Sequence, residues 1–158
     1  MRKLKIYLDT SVISHLQQED VPEKMQETRE LWEQFKNRED IEIIISNLVL
    51  LELSHCKESK HIFLLNELAQ LDYTLVESTN EERSLADIYL QNGVLRQKSI
   101  DDLTHIATAT LNGCSYIVSW NFKHFVNPKT INAVNAINLS LHLSQISIFS
   151  PDMMLGGF

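Results

Sequence analysis

The chain has 158 residues, 44% of them hydrophobic, with only four Gly and three Pro. This fits one domain with one core and leaves little room for linkers or low-complexity segments. The formal charge of −7 opposes nonspecific nucleic-acid binding through Lys and Arg. It does not exclude a nuclease, because acids grouped around divalent cations count fully in that total.

The first residues are basic, but few apolar residues follow before Asp9, which argues against an export signal. No run approaches the ~20 apolar residues of a bilayer span. Cys56 and Cys114 match no metal or redox spacing. The expectation is a cytoplasmic protein, not bound to membrane, with both thiols reduced and buried.

Residues 3–8 read as a buried strand and residues 11–18 as a first helix. Asp20-Val-Pro-Glu23 opens a second helix, with Pro22 in its first turn. Met25, Thr28, Leu31, Trp32 and Phe35 give that helix one apolar face. The β-branched run at residues 41–45 predicts a second strand. Ser46 is placed to cap a helix over residues 47–56.

A helix over residues 61–71 and a short strand over residues 73–76 follow. Ser78 with Glu81, and Thr79 with Glu82, both offer a capping box for a helix over residues 81–91. Ser99 starts a helix over residues 100–111, which Asn112-Gly113 ends. Residues 116–119 form a fourth strand, 128–141 a helix and 146–149 a fifth strand. Strands separated by helices of this length imply parallel crossovers, hence an α/β class. The apolar tail has no assigned structure.

Three acids do not fit as ordinary surface charges. Asp9 ends the first strand, where open parallel sheets bind ligands. Glu52 sits in the apolar helix Leu48-Val-Leu-Leu-Glu-Leu53, and a buried carboxylate is costly unless it is paired or binds a metal. Asp102 lies in the first turn of its helix, where the macrodipole favours an anion. Each acid has a plainer reading: helix capping for Asp9 and Asp102, a solvent-facing gap or a Lys or Arg partner for Glu52. Convergence on one metal site explains all three at once. Asp101 points elsewhere by helix geometry and reads as solvated, unless a shifted register makes it the ligand in place of Asp102.

Ser119 and Asn121, in Ser119-Trp-Asn-Phe-Lys-His124, are small polar residues at a strand end, suited to bonding a carboxylate, a water or a phosphate. Trp120, Phe122 and Phe125 read as packing residues; Lys123 and His124 could touch a phosphate, though a solvated loop is the simpler reading.

Competing readings remain. An aspartyl-phosphate phosphatase needs a second Asp two residues after the first, where Ser11 stands. A dinuclear iron site would use Glu52-x-x-His55 and Asp102-x-x-His105, but the β-branched strands oppose a helical bundle, and both histidines read more simply as packing residues with one hydrogen bond each.

Four segments together resemble the PIN-domain ribonucleases, and among them the VapC-type toxins. They are Ile6-Tyr-Leu-Asp-Thr-Ser-Val-Ile13, Ile45-Ser-Asn-Leu-Val-Leu-Leu-Glu-Leu53, Asp102-Leu-Thr-His-Ile-Ala-Thr-Ala109 and Tyr116-Ile-Val-Ser-Trp-Asn-Phe-Lys-His124. The resemblance implies a PIN-like three-layer α/β fold, a parallel five-stranded sheet with helices on both faces. One such domain would cover residues 1–150, followed by a tail over 151–158.

It further implies a metal-dependent endoribonuclease, the toxin of a toxin–antitoxin pair. Asp9, Glu52 and Asp102 would be catalytic residues and ligands to Mg²⁺ or Mn²⁺, supported by Thr10, Ser11, Ser119 and Asn121. The partners implied are an RNA substrate, a small antitoxin and a second copy of the chain. Apolar residues on the first two helices would serve those protein contacts. Many members carry an Asp where Asn121 stands here, which leaves open a catalytically weak or inactive module that binds RNA or protein.

Overall fold

The computed structural model describes residues 2–157. Five parallel strands form one sheet: β1 (Leu4–Leu8), β2 (Ile41–Ser46), β3 (Tyr73–Val76), β4 (Tyr116–Val118) and β5 (Ser147–Phe149). Their spatial order is β3-β2-β1-β4-β5. β1 is central, with Ile6 opposite both Ile43 and Tyr116. Ile6, Tyr7 and Leu8 are completely buried, as expected of a parallel strand covered on both faces.

The strand order reverses direction at β1. Winding runs from β1 to β2 and β3, then crosses to β4 and β5. The carboxyl ends of β1 and β4 therefore flank a topological switch point, where such sheets bind ligands. The amide of Asp9 continues the ladder across that gap to the Val118 carbonyl at 3.1 Å.

Among the described residues the connections carry seven α-helices, α1 (Thr10–Ser14), α2 (Pro22–Asn37), α3 (Asn47–Leu53), α4 (Glu58–Ala69), α5 (Asn80–Gln91), α6 (Ile100–Leu111) and α7 (Pro128–Ser140), and α8 (Pro151–Gly157) follows β5. Right-handed crossovers put α1 to α4 on one face and α5 to α7 on the other. On the second face α5 packs on α6, and Tyr89 donates to Asn138 of α7 at 2.6 Å. α8 packs on α2 and buries Met154 in the shared core.

Local differences from the expected elements have physical causes. The first helix tightens into a 3-10 turn at His15–Gln17. The helix after β2 stops at Leu53, where Ser54, His55 and Cys56 bond back in a tight turn. α3 buries Val49 and Leu53 but leaves Leu51 at 57% exposure, so it is not apolar on all sides of its packing. The tail forms α8, although Phe158 lies outside the described residues, as does Met1.

Exposed large apolar residues fall on α3 and α4 (Leu51, Ile62, Leu65) and on later elements. None lies on α1 or α2 among the described residues, against expectation. Cys114 is buried and Cys56 only partly so; both are free thiols. Burial pushes the Cys114 thiol up to about 12. No helix is long and apolar enough to cross a membrane among the described residues.

Of the two capping boxes written in the sequence, the structure uses Thr79 and Glu82. The Glu82 carboxylate accepts from the Thr79 amide at 2.8 Å and from the Thr79 hydroxyl. Ser78 instead bonds the Thr108 hydroxyl at 2.8 Å. Thr79→Ala should cost about 1 kcal/mol of stability, read by urea denaturation. An unchanged midpoint would show that the cap contributes nothing.

Candidate active site

Asp9 follows β1 and is 5% exposed. Its backbone occupies the N-cap position of α1, but its side chain makes no capping bond. Instead Oδ2 accepts two hydroxyl donors, Ser11 at 2.7 Å and Ser119 at 2.7 Å. Ser119 comes from the end of β4, so two strand ends are joined through one carboxylate oxygen.

The loop after β4 holds this geometry. The Trp120 amide donates to the Ser11 hydroxyl and the Asn121 amide to that of Ser119, both at 2.9 Å. The Trp120 indole N–H reaches Thr28 of α2 at 2.8 Å. Trp120 and Phe125 are buried, as expected. Phe122 is not: it is 46% exposed, beside the Trp120 ring with Lys24 over both.

The Asn121 side chain bonds no carboxylate. Its Oδ1 accepts from the His124 amide at 2.9 Å and closes the turn. That turn aims the His124 ring at Asp102, with Nδ1 2.7 Å from Oδ2. His124 therefore belongs to the site rather than to a solvated loop. Ser99 supplies no side-chain cap to α6, so Asp102 is not its capping partner. Asp101 is exposed.

Glu52 lies on α3, with its side chain 30% exposed. Its Oε1 accepts from Thr10 at 2.7 Å and meets Nε2 of His105 at 2.5 Å. His105 is 1% exposed. Its other nitrogen, Nδ1, is 2.6 Å from the Tyr7 hydroxyl, which lies 2.9 Å from Ser46. His105 thus has two polar partners rather than one, whereas His55 is exposed. Tyr7, His105 and His124 are the site residues that the sequence reasoning missed. One signal was present for His105: a position three after Asp102 shares its helix face.

The bonds close a circuit. It runs from Asp9 through Ser119, Asn121 and His124 to Asp102, along one turn of α6 to His105, and back through Glu52 and Thr10. In each carboxylate the protein engages one oxygen. Asp9 Oδ1, Glu52 Oε2 and Asp102 Oδ1 accept no hydrogen bond among the described residues. None is sealed from solvent, since Trp32 Nε1 is the only buried side-chain polar atom left unpartnered among those residues.

The charges interact as well. Burial raises the Asp102 carboxyl above the ordinary carboxylate range; the His124 bond opposes this and the nearby Asp9 charge adds to it. Burial also works against ionisation of Glu52, but the His105 and Thr10 bonds outweigh it and hold this acid below its ordinary value. Burial lowers His105, yet the Glu52 bond and the charges of Asp9, Glu52 and Asp102 outweigh it and raise the imidazole. One buried ring therefore feels all three acids.

Among the described residues, no group of three His, Cys, Asp or Glu side chains is close enough to hold an ion directly. The donor chemistry fits a hard cation all the same. Mg²⁺ keeps several waters and is held through one or two carboxylates. Hydroxyl and imidazole bonds to the other oxygen are the supports that orient such ligands.

The Glu52–His105 pair sets a pH window for stability. The Glu52 contribution is present above its ordinary 4.5 and lost as pH falls through its lowered folded value. The His105 contribution is present below its ordinary 6.5 and lost as pH rises through its raised folded value. In chelator, the melting-temperature gap between wild type and His105→Gln should be largest between 4.5 and 6.5 and shrink at higher pH. A gap that does not change with pH would contradict the charged pair.

The fold has known counterparts. *Mycobacterium tuberculosis* VapC20, described as a sarcin–ricin-loop-cleaving toxin, superposes with a TM-score of 0.60 at 17% identity, over 75% of this chain and 92% of that one. DNA-bound VapBC from *Salmonella typhimurium* gives 0.58 at 15% identity, over 94% and 98%. VapBC2 from *Rickettsia felis*, bound to a promoter DNA fragment, gives 0.58 at 13%, over 93% and 98%. No curated protein sequence matches significantly. The PIN domain family model matches residues 6–124, a stretch that contains every acid and every support described above, and the chain belongs to the PIN domain family.

Proposed function

We propose that this chain is a divalent-metal-dependent endoribonuclease, the toxin of a toxin–antitoxin pair. The carrying observation is the circuit at the sheet's switch point: three acids, each with one oxygen fixed by the protein and the other without a protein partner. Membership of the PIN domain family and the likeness to VapC and VapBC structures support the reading.

Asp9, Glu52 and Asp102 are the residues that would hold Mg²⁺ or Mn²⁺. When bound, such an ion lowers the pKa of a water and stabilises charge on phosphoryl oxygens. The chain's own residues do the positioning. Ser11 and Ser119 fix the Asp9 carboxylate, Thr10 and His105 fix Glu52, and His124 fixes Asp102. Burial, and after it the Asp9 charge, raise the Asp102 carboxyl above its ordinary value, which makes it the acid readiest to take a proton. Cleavage would leave a 5′-phosphate and a 3′-hydroxyl.

The partner is a small antitoxin whose tail covers the acids, and the chain pairs with a second copy. The exposed Leu51, Ile62 and Leu65 on α3 and α4 offer the apolar surface for these contacts. One observation favours the alternative of an inactive binding module: the Asn121 side chain is occupied in closing its turn and adds no charge.

Asp9→Asn should abolish Mg²⁺- or Mn²⁺-dependent cleavage of total cellular RNA while preserving the circular dichroism spectrum. It should also raise the melting temperature in chelator, because it relieves the repulsion on Asp102. Ser119→Ala should lower cleavage by about 10–100-fold through loss of support to Asp9. Equal cleavage by wild type and Asp9→Asn would refute the assignment. RNA binding without cleavage in either metal would favour the binding module.

A further inference from the structure

Four cations stand beside the acidic site with no acids answering them. Arg96 and Lys98 precede α6, Lys123 follows β4, and Lys129 lies in the first turn of α7. All four are exposed. Together with His124 they line a cleft of about 520 Å³ to which no Asp or Glu contributes. None of the four forms an ion pair among the described residues. In a chain of 14 Lys and Arg against 21 Asp and Glu, a cleft of one sign needs a reason.

The cleft adjoins the acids through one residue. His124 lines the cleft and bonds Asp102 at 2.7 Å. Ser99 and Asn127, the residues just before α6 and α7, also line it. Two helix starts therefore border the same space.

We infer that this cleft holds the phosphodiester backbone of one RNA strand to one side of the bond to be cut. The inference rests on the ribonuclease reading of the acidic site and adds the path of the strand. Unpaired cations along a groove track a backbone. The volume is that of a small-molecule pocket, which suits a single strand. An acidic peptide would meet the same cations, but only a polyanion that passes Asp102 explains why the cleft adjoins the acids through His124.

The test is binding of a fluorescein-labelled 12-nucleotide single-stranded RNA in chelator, followed by anisotropy across a salt series. Exposed side chains make Arg96→Gln, Lys98→Gln, Lys123→Gln and Lys129→Gln safe to combine. The quadruple variant should bind at least about tenfold more weakly, with a log-affinity against log-salt slope shallower by about 3. A control, Arg2→Gln with Lys3→Gln at the opposite end of β1, should leave affinity and slope unchanged.

An unaltered slope in the quadruple variant, an equal loss in the control, or no RNA binding by wild type would overturn the inference. So would polyglutamate binding to the cleft more tightly than RNA. Cleft-dependent binding by a wild-type protein that never cuts RNA with Mg²⁺ or Mn²⁺ would leave the cleft standing and remove the nuclease reading instead.

Discussion

Two hydroxyls on one carboxylate oxygen hold the site in place. Ser11 and Ser119 both donate to Asp9 Oδ2, and through them the end of β1, the start of α1 and the end of β4 become one unit. The sheet order makes this possible, because β1 and β4 are neighbours at the point where winding reverses. A carboxylate at 5% exposure is costly in isolation. Charge-assisted hydroxyl bonds offset that cost on one oxygen and leave the other for a ligand.

The remaining acids are built by the same device from other elements. Glu52 on α3 is bonded by Thr10 and His105, and Asp102 on α6 by His124. Buried His105 lies among all three charges and is raised by them. Acids gather at the switch point, and a cleft lined by cations adjoins them through His124. Opposite fields side by side suit a ligand that carries both a cation and a string of phosphates.

Much of this was legible in the residues. The β-branched runs and helix spacings placed β2, β3 and α6 nearly at their observed bounds, because buried parallel strands and amphipathic helices follow local patterns. Asp9, Glu52 and Asp102 stood out as acids in apolar settings. The partners were less legible. His124 looked like part of a solvated loop because its role depends on Asn121 closing a turn. Tyr7 looked like an ordinary strand residue because its hydroxyl partners, His105 and Ser46, come from distant segments. α8 carried no strand or helix signal strong enough to assign, and its position depends on packing against α2.

On this proposal the three acids share one divalent ion, held in part through the waters it keeps. Diffraction from crystals soaked in Mn²⁺, recorded at a wavelength where manganese scatters anomalously, tests it most directly. An anomalous peak bounded by Asp9, Glu52 and Asp102 is expected in wild type, and none in Asp9→Asn. A saturated crystal with no peak there, or with manganese only elsewhere on the surface, would contradict it.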